Sequence, residues 1–548
     1  MTENWQHLAA SKKARQQASI PKEWILKNIP SQHELNVLTF PESCGLLTPQ
    51  EVEITNTHVD VLLDKLASAE WSSVAVTTAF GKRAIIAHQL TNCLTEIFIE
   101  RALVRAAELD AHLKATGTTV GSLHGLPISL KDQLSIKGIE STMGYVSWVG
   151  RYAERNAVLV DVLEALGAVL FVKTNIPQTL MWPETYNLVF GRTVNPSNRS
   201  LTCGGSSGGE GALIALKGSP LGVGSDVGGS IRIPSSFCGT YGFRPSTGRI
   251  PYAGAVNSLQ GQDSIPSVLG PFSDSIHGIK VFFQGVLSQK PWLRDPLVIR
   301  KDWSEEQYNL IEHGRGKELC FAIMWNDGLF VPHPPIIRGL GMAKNALIKA
   351  GHKVIDWEPL DHKTMLDIGV GLLSVSADVG EPLITSMVPG KETIDIDPFL
   401  VVNKAPLSAY ELWQIQKKKL NLRQRYLEYW LATASKTGTG RPIDAIIAPV
   451  TPFTAVPHGK SPNIAYTMVW NVLDYPALVI PVSRVDPTVD VKKPAHEFLS
   501  DSDKSVYELY DLETFKDAPI GFQVVGRTQE DEAVIAIAEI VDAALKAF

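Results

Sequence analysis

The sequence predicts an α/β fold: a single large α/β/α domain in which helices cover a central mixed β-sheet, preceded by an N-terminal helical segment. Three observations predict it. Short apolar runs bounded by proline or glycine recur along the chain, helix-periodic segments separate them, and no linker divides the chain. Such interleaving is typical of sheets that are buried on both faces. We therefore expect residues 1–74 to form the helical segment and residues 75–548 to form the large domain.

The N-terminal segment carries a specific signal for the start of a helix. In TPQEVEITNTHVDVLLDKLASAE, Thr48 stands first and Glu51 follows three residues later. This spacing is typical of a capping box, in which each of two side chains bonds the backbone of the other residue. A long helical pattern comes next, and we expect it to run through residues 84–117.

Strands are predicted wherever short apolar runs are bounded by proline or glycine. AVLFVKT at 168–174 follows a helix that is expected to stop at Gly167. KELCFAIMWNDG, PPIIRGLGMAKNALIKAG and HKVIDWEP predict a strand–helix–strand unit, and DAIIAPVTP, PALVIPVS and PIGFQVVG predict three interior strands. Residues 530–548 predict an amphipathic helix. Residues 485–518 are polar, and we expect them to form an irregular surface excursion.

Composition excludes several classes of protein. The chain has 548 residues, 44% of them apolar, and a net charge of −6 that gives no reason to expect a nucleic-acid partner. No apolar stretch reaches the about 18 residues that a membrane span requires, and we expect no signal peptide. Five scattered cysteines without a CxxC pair favour reduced thiols and a cytoplasmic location. The HExxH pattern is absent, so no metal is predicted.

A stretch rich in glycine and serine is the strongest functional signal: CGGSSGGEGALIALKGSPLGVGSDVGGSIRIP at 203–234. Glycine at this density costs backbone entropy, so we expect a site where bare backbone approaches a ligand. A phosphate loop is not supported, because GxxxxGK[ST] is absent and GVGSDVGG departs from GxGxxG. GxSxG occurs twice, centred on Ser206 and on Ser207. The polar segment before it, however, is not the strand that a Ser-His-Asp nucleophile elbow requires.

Three segments together carry the chemistry. LHGLPISLKDQLSIKG contains Lys131 after an apolar run, GGSSGGEG contains Ser206 and Ser207, and GSDVGGSIRIP contains Ser230. With GAVLFVKTNIPQTL, DAIIAPVTPFTA and PIGFQVVGRTQEDEA, these segments resemble the amidase signature family of serine hydrolases. The resemblance covers residues 75–545 and is closest to fungal acetamidase-type general amidases.

The resemblance implies a Ser–Ser–Lys triad that uses neither a metal nor an organic cofactor, within a catalytic core at about residues 120–260. Ser230 would be the acyl-forming nucleophile, Ser206 the bridging serine with a cis peptide bond before it, and Lys131 the base. A lysine is a base only when neutral, so its pKa must fall by ~3 units from about 10.4. Burial beside the apolar run that precedes Lys131 is expected to cause that fall.

The resemblance also assigns a role to the backbone around the nucleophile. The N–H groups of Val227, Gly228, Gly229 and Ser230 are expected to form the oxyanion hole. Glycine lets these donors come close to the negative oxygen of the tetrahedral intermediate without an intruding side chain.

Auxiliary roles are expected for the charged and polar residues nearby. Ser207 is predicted to be a helix N-cap or a hydrogen-bond partner of Ser206. Asp226 and Arg232 flank the nucleophile and are predicted to orient its loop through charge-assisted hydrogen bonds. His124, in LHGLP, is expected to be structural, because the lysine leaves it no catalytic task.

The substrate pocket is predicted only by position in the family pattern. Leu180 and Met181, in PQTLMWPETYN, are expected to line the acyl side, with Trp182 and Tyr186 nearby. Members of the family accept acetamide, aryl amides, indoleacetamide or long acyl amides. The triad does not distinguish among these substrates.

We predict an amidase that hydrolyses a monocarboxylic acid amide, small aliphatic or aryl and acetamide-like, to carboxylate and ammonia through an acyl-serine intermediate. The alternatives are an indoleacetamide or fatty-acid amide hydrolase, a transamidase subunit, a Ser-His-Asp esterase and an inactive binding protein. The predicted partner is the small-molecule amide, with neither nucleic acid nor membrane. The family often dimerises, so a homodimer is left open.

Overall fold

Strands form where the sequence places short apolar runs, and eleven of them join into one sheet. The computed structural model describes residues 5–373, 407–461 and 463–548. The strands of these ranges are β1 (Leu94–Ile97), β2 (Pro127–Lys131), β3 (Val169–Thr174), β4 (Tyr186–Asn187), β5 (Gly191–Arg192), β6 (Val194–Asn195), β7 (Asn198–Thr202), β8 (Leu221–Asp226), β9 (Tyr241–Arg244), β10 (Val268–Ser273), β11 (Cys320–Ile323), β12 (Lys353–Asp356), β13 (Ala445–Pro449), β14 (Ala477–Arg484) and β15 (Pro519–Val525).

The main sheet is mixed, with the strand order β1-β3-β2-β8-β10-β9-β14-β15-β13-β11-β12. Strand β2 runs parallel to both β3 and β8, and β11 runs parallel to both β12 and β13. Strands β8, β10, β9, β14, β15 and β13 pair antiparallel in turn. Two small antiparallel pairs, β4–β5 and β6–β7, lie apart from it. The predicted mixed sheet is confirmed.

Both faces of the sheet are covered. Strands β3, β8 and β15 are buried at every residue, and successive side chains of a strand point to opposite faces. The surrounding α-helices are α1 (Trp5–Ala18), α2 (Phe40–Ser43), α3 (Pro49–Asn56), α4 (Val59–Ala67), α5 (Ser73–Thr91), α6 (Ile99–Thr116), α7 (Val158–Ala165), α8 (Gly208–Ala215), α9 (Arg232–Cys238), α10 (Ile276–Ser288), α11 (Glu305–Tyr308), α12 (Pro334–Lys349), α13 (His362–Leu373), α14 (Ala409–Ala432), α15 (Ala434–Thr437), α16 (Ala465–Leu473), α17 (Asp501–Leu509), α18 (Leu512–Phe515) and α19 (Asp531–Lys546).

Local signals set several of these boundaries. The Thr48 hydroxyl accepts a hydrogen bond from Glu51 N at 3.2 Å, and the Glu51 carboxylate accepts one from Thr48 N at 2.8 Å. The predicted capping box at the start of α3 is therefore confirmed. The strand–helix–strand unit is also confirmed, as β11, α12 and β12 with the two strands parallel. Short 3₁₀ helices connect other elements: Lys22–Trp24, Val146–Trp148, Gln178–Leu180, Pro291–Leu293 and Ile311–Gly316.

Two sequence predictions are wrong. The helix expected over 84–117 is two helices, α5 and α6, because Asn92 ends α5 in a left-handed conformation and β1 then pairs with the sheet. The excursion expected over 485–518 contains α17 and α18. Tyr510 and Phe515 in that region are buried, so the region adds to the core. The first error arose because the pairing of β1 with β3 overrode the local helical pattern.

The N-terminal helices share the main hydrophobic core. Trp24, Ile54 and Leu62 are buried in the same cluster as residues of the central strands. None of the helices in the described ranges is long and apolar enough to cross a lipid bilayer.

Candidate active site

Two neighbouring parallel strands position the lysine of the predicted triad. Lys131 is the last residue of β2, and Ser225 and Asp226 are the last residues of β8. Because β2 and β8 run parallel, their carboxyl ends lie at the same edge of the sheet. The side chain of Lys131 is completely buried there. This edge is where the three predicted segments meet.

The Lys131 amine contacts two hydroxyl groups. Its Nζ donates to Ser206 Oγ at 2.7 Å and to Ser225 Oγ at 2.9 Å. Within the described ranges Lys131 forms no ion pair. Burial lowers the pKa of Lys131 to about 7, against the opposing charges of Asp226 and Glu210. A substantial fraction of this amine is therefore neutral at neutral pH, as a general base requires.

Ser206 lies between β7 and α8, and it is buried. The peptide bond between Gly205 and Ser206 is cis, as the family resemblance implies. Glycine is required at 205 because a Cβ there would lie 2.5 Å from the carbonyl oxygen of Glu184. The crowded backbone thus holds Ser206 with its hydroxyl on Lys131.

Ser230 follows β8 in a loop, and it is half-buried rather than buried. Its carbonyl oxygen accepts a hydrogen bond from Ser207 N at 3.2 Å, which joins the two serine segments. Ser230 and Gly205 both border the same cavity. Of the three predicted triad residues, Ser230 alone is half-buried and borders this cavity, whereas Lys131 and Ser206 are buried.

A buried ion pair shapes the Ser230 loop. Asp226 accepts hydrogen bonds from Gly229 N at 2.8 Å and Ile231 N at 3.1 Å. It also accepts two from Arg232, through Nη2 at 2.9 Å and Nε at 3.0 Å. Burial raises the pKa of the Asp226 carboxyl, but the Arg232 guanidinium outweighs this effect and holds the pKa well below its ordinary value. Asp226 and Arg232 therefore orient the loop as charged partners.

Three of the four predicted oxyanion donors are free. The N–H groups of Val227, Gly228 and Ser230 donate to no acceptor in the part of the chain that the structure describes. The N–H of Gly229 is already engaged by Asp226. Gly229 instead supplies a backbone φ of +130°, in the region that favours glycine. The prediction for Gly229 as an oxyanion donor thus needs correction, because its N–H already donates a hydrogen bond to the Asp226 carboxylate.

Ser207 occupies the N-cap position of α8, but its hydroxyl does not cap the helix. Ser207 Oγ accepts from Ser225 N and donates to Ser225 O, both at 3.3 Å. The structure thus places Ser207 against the backbone of β8 rather than on Ser206. In this position it ties α8 to the strand that precedes the Ser230 loop.

Sequence reasoning missed three polar residues of the site. Ser225 contacts Lys131 directly, and Ser225 Oγ in turn donates to Gln133 Oε1. Glu210, fully buried in α8, accepts from hydroxyls at 2.6 and 2.8 Å, and burial raises its pKa to about 8. All three lie inside the quoted motifs. Their residue types, however, carry no signal of where their side chains point.

His124 lies away from the serines. Its Nδ1 accepts from Val120 N at 3.1 Å, and no histidine in the described ranges bonds Ser206, Ser207 or Ser230. A Ser-His-Asp arrangement is therefore not formed here. Within those ranges there is also no group of three or more histidine, cysteine or acidic residues that could hold a metal ion.

A small apolar cavity of about 40 Å³ lies in front of Ser230. Leu180 and Met181, the two predicted pocket residues, border it together with Trp182 and Met468. Tyr186 packs edge-on against Trp182, with ring centroids 6.3 Å apart. The cavity wall is thus apolar, as is typical of a pocket for a hydrocarbon group.

The chain is similar to known proteins over most of its length. A family model described as Amidase matches residues 75–535. The chain is 44% identical to an acetamidase of Aspergillus oryzae and 43% identical to one of Emericella nidulans, over 98% of this chain and of each relative. A solved fatty acid amide hydrolase superposes with a TM-score of 0.91 at 32% identity, covering 99% of this chain and 95% of that one. The chain therefore belongs to the amidase signature family, as its sequence motifs indicate, and is a hydrolase of amide carbon–nitrogen bonds.

Proposed function

We propose that this amidase converts the amide of a small monocarboxylic acid to carboxylate and ammonia through an acyl-enzyme on Ser230. One observation carries the proposal: a fully buried lysine that forms no ion pair within the described ranges contacts Ser206, and the next residue, Ser207, bonds the backbone of the half-buried Ser230. A serine hydroxyl is a weak nucleophile until a neighbouring base takes its proton. Neutral Lys131, acting through Ser206, is that base.

During acylation one proton moves from Ser230 through Ser206 to Lys131, and one proton then moves back from Lys131 through Ser206 to the leaving nitrogen. Ser230 Oγ gives its proton to Ser206, which gives its own to Lys131, while Ser230 Oγ bonds to the amide carbonyl carbon. The oxygen that becomes negative faces the free N–H groups of Val227, Gly228 and Ser230. When the carbon–nitrogen bond breaks, Lys131 returns the proton through Ser206 to the nitrogen, and ammonia leaves.

Deacylation repeats the relay with water in place of the Ser230 hydroxyl. Water gives one proton through Ser206 to Lys131, and its oxygen bonds to the acyl carbon. The carbon–oxygen bond to Ser230 then breaks, and the relay returns the proton to Ser230 Oγ. The carboxylic acid released loses its proton to solvent. Each proton transfer within the site is assigned to a side chain of this protein, so the proposed reaction uses no cofactor.

The cavity supports a short acyl group. About 40 Å³ in front of Ser230, between apolar walls, suits an acyl chain of a few heavy atoms. Both fungal relatives are named acetamidases, which supports the same substrate class. Amides of long fatty acids are the second candidate, since the superposed structure is a fatty acid amide hydrolase. The names of the two fungal relatives favour the first.

We also propose a cytoplasmic location. All five cysteines are free, and four of them are buried. Unpaired thiols are typical of proteins in a reducing compartment. Fractionation that finds the full chain in an organelle or a membrane pellet would contradict this location.

A fluorophosphonate probe, with mass spectrometry of the labelled peptide, tests the nucleophile. We expect labelling of Ser230, loss of labelling in Ser230→Ala, and retention in Ser200→Ala, an exposed serine on β7. Label on another serine would overturn the assignment.

Ammonia release from acetamide, benzamide, indoleacetamide and a long-chain amide tests the substrate class. We expect the highest kcat/KM with acetamide or another short aliphatic amide. A preference for the long-chain amide would replace the proposed substrate with the second candidate.

A further inference from the structure

We propose that Gln133 is a positioning residue that sets the direction of hydrogen bonding at Lys131 and so keeps the amine lone pair available to Ser206. The inference rests on the proposed function of Lys131 as the base. It concerns a residue two positions beyond the end of β2 that is completely buried and is not itself in contact with Ser206 or Ser230.

The orientation of the Gln133 amide is determined by a backbone carbonyl. Gln133 Nε2 donates to Val256 O at 2.9 Å and to Tyr252 Oη at 3.0 Å. A carbonyl oxygen can only accept, so the amide nitrogen must be the end that faces Val256. The backbone N–H of Val256 also donates to Gln133 O at 2.9 Å, which holds the two residues together. Gln133 Oε1 is therefore directed at Ser225.

This orientation decides what the Ser225 hydroxyl does. Gln133 Oε1 can only accept, so the single proton of Ser225 Oγ is committed to it. The Ser225 hydroxyl can therefore act only as a hydrogen-bond acceptor toward the Lys131 amine. Lys131 must then donate an N–H to Ser225 in its charged and in its neutral form.

This arrangement matters for the neutral form of Lys131, whose amine has two N–H groups and one lone pair. One N–H is held by Ser225, so the lone pair of Lys131 is not occupied by that hydroxyl and can accept the proton of Ser206 Oγ, 2.7 Å away. If Ser225 were free to rotate, its O–H could donate to Lys131 and occupy the lone pair instead. A base whose lone pair is occupied cannot take a proton.

The charged groups around Lys131 do not provide this direction. Asp226 on β8, and Glu210 on α8 when it is ionised, act on Lys131 through their charge, without an ion pair to its amine. Asp226 is engaged with Arg232, and Glu210 accepts from Ser129 and Thr174. They influence how often Lys131 is protonated, whereas Gln133 influences where its lone pair points.

The test compares Gln133→Leu with the wild-type protein in steady-state ammonia release across pH. We expect kcat to fall about 10- to 100-fold with KM unchanged, the scale of a misdirected catalytic group. The loss is expected to persist on the high-pH plateau, where Lys131 is already neutral. A defect that acted only through the protonation of Lys131 would disappear there. Thermal unfolding checks that the variant is folded.

A double-mutant cycle separates positioning from general damage. Ser225→Ala removes the acceptor that holds one N–H of Lys131, so the amine is no longer oriented and kcat is expected to fall by a similar factor. Ser225→Thr is expected to keep activity within about threefold of wild type, and Gln133→Leu to cause no further loss in the Ser225→Ala background. If Gln133→Leu fails to fold, Gln133→Met is measured in the same cycle.

Two outcomes overturn the inference: a plateau kcat for Gln133→Leu within about threefold of wild type, or losses that multiply in the double variant. Failure of the underlying function looks different. Lys131→Met or Ser230→Ala would then retain turnover, whatever the result at Gln133.

Discussion

Two buried lysines on neighbouring strands of one sheet have different surroundings. Lys131 on β2 and Lys173 on β3 are both completely buried. Lys173 Nζ donates to Glu140 O at 2.8 Å and Ser141 Oγ at 2.6 Å, and it lies 3.9 Å from Asp132 Oδ1. Lys131 instead contacts two serine hydroxyls and, within the described ranges, no carboxylate. The two amines share burial but not a counter-ion.

The difference indicates what a buried lysine needs in order to act as the base proposed for Lys131. Burial lowers the pKa of both lysines. At Lys173 a carboxylate in ion-pair distance favours the charged form, whereas at Lys131 the neutral hydroxyls of Ser206 and Ser225 are partners to either form. Uncharged hydrogen-bond partners leave the lysine free to change its protonation state during a reaction. A carboxylate partner makes it a structural cation.

Replacing the base gives the largest expected effect. Lys131→Met is expected to lower kcat by about 10⁴-fold or more, because Ser230 then has no base behind it. The free energy of unfolding is expected to rise by about 1–3 kcal/mol at pH 7, since the folded site disfavours the charged lysine that the unfolded chain carries. Ammonia release and denaturant unfolding measure the two effects.

The pH dependence of that stability gain supplies its control. The pKa of Lys131 is lower in the folded than in the unfolded chain. The gain in free energy of unfolding from Lys131→Met is therefore expected to be at its maximum below pH about 7 and to vanish near pH 10.5, the ordinary pKa of lysine. A variant with wild-type turnover would remove Lys131 from the mechanism.

Replacing the second lysine is expected to affect stability instead. Lys173→Met leaves the Asp132 carboxylate buried without its cation, which costs about 3–5 kcal/mol of unfolding free energy. The kcat of the folded protein is expected to change less than tenfold, because Lys173 touches none of the predicted catalytic groups. Denaturant unfolding and active-site titration measure these quantities.

The double variant Lys173→Met with Asp132→Asn is the matched control, and it is expected to recover part of the lost stability. The contrast between the two lysines would be refuted if Lys173→Met lowered kcat as far as Lys131→Met does.

The smallest expected effect is the response of the wild-type protein to pH. Protonation removes the base, so kcat/KM is expected to fall about tenfold for each pH unit below about 7 and to level off above it. A pH–rate profile with a short aliphatic amide measures this limb.

Ser225→Asp sharpens the same measurement by giving Lys131 a carboxylate like the one beside Lys173. The pH at which kcat/KM falls to half of its plateau value is expected to rise by about 1–3 pH units. An unchanged midpoint would show that another group controls the limb.

Much of the fold could be predicted because its signals are local. Apolar runs between proline and glycine marked the interior strands, and Thr48 with Glu51 marked the start of α3. The strand β1 could not be found in the same way, because its four residues lie inside a helical pattern. Pairing with β3 decides their conformation.

The residues of the candidate site also fall into two groups, those that sequence motifs indicate and those that only contacts in the structure indicate. Lys131, Ser206 and Ser230, the predicted triad, were identified from motifs and the family resemblance that they carry, since each stands in a recognisable segment. Ser225 and Gln133 stand in the same segments and were missed. A serine and a glutamine have many ordinary uses, and only their contacts with Lys131 distinguish these two.

By itself, the sequence determined which residue types stand at which spacing, and therefore the fold class, the family and the prediction of a triad of one lysine and two serines. Only the tertiary structure decided that one lysine meets hydroxyls and another a carboxylate, and that Asp226 accepts the hydrogen bond of the Gly229 N–H. The physical reason is that pKa values and hydrogen-bond directions depend on atoms within a few ångströms. Residues far apart in the chain supply those atoms.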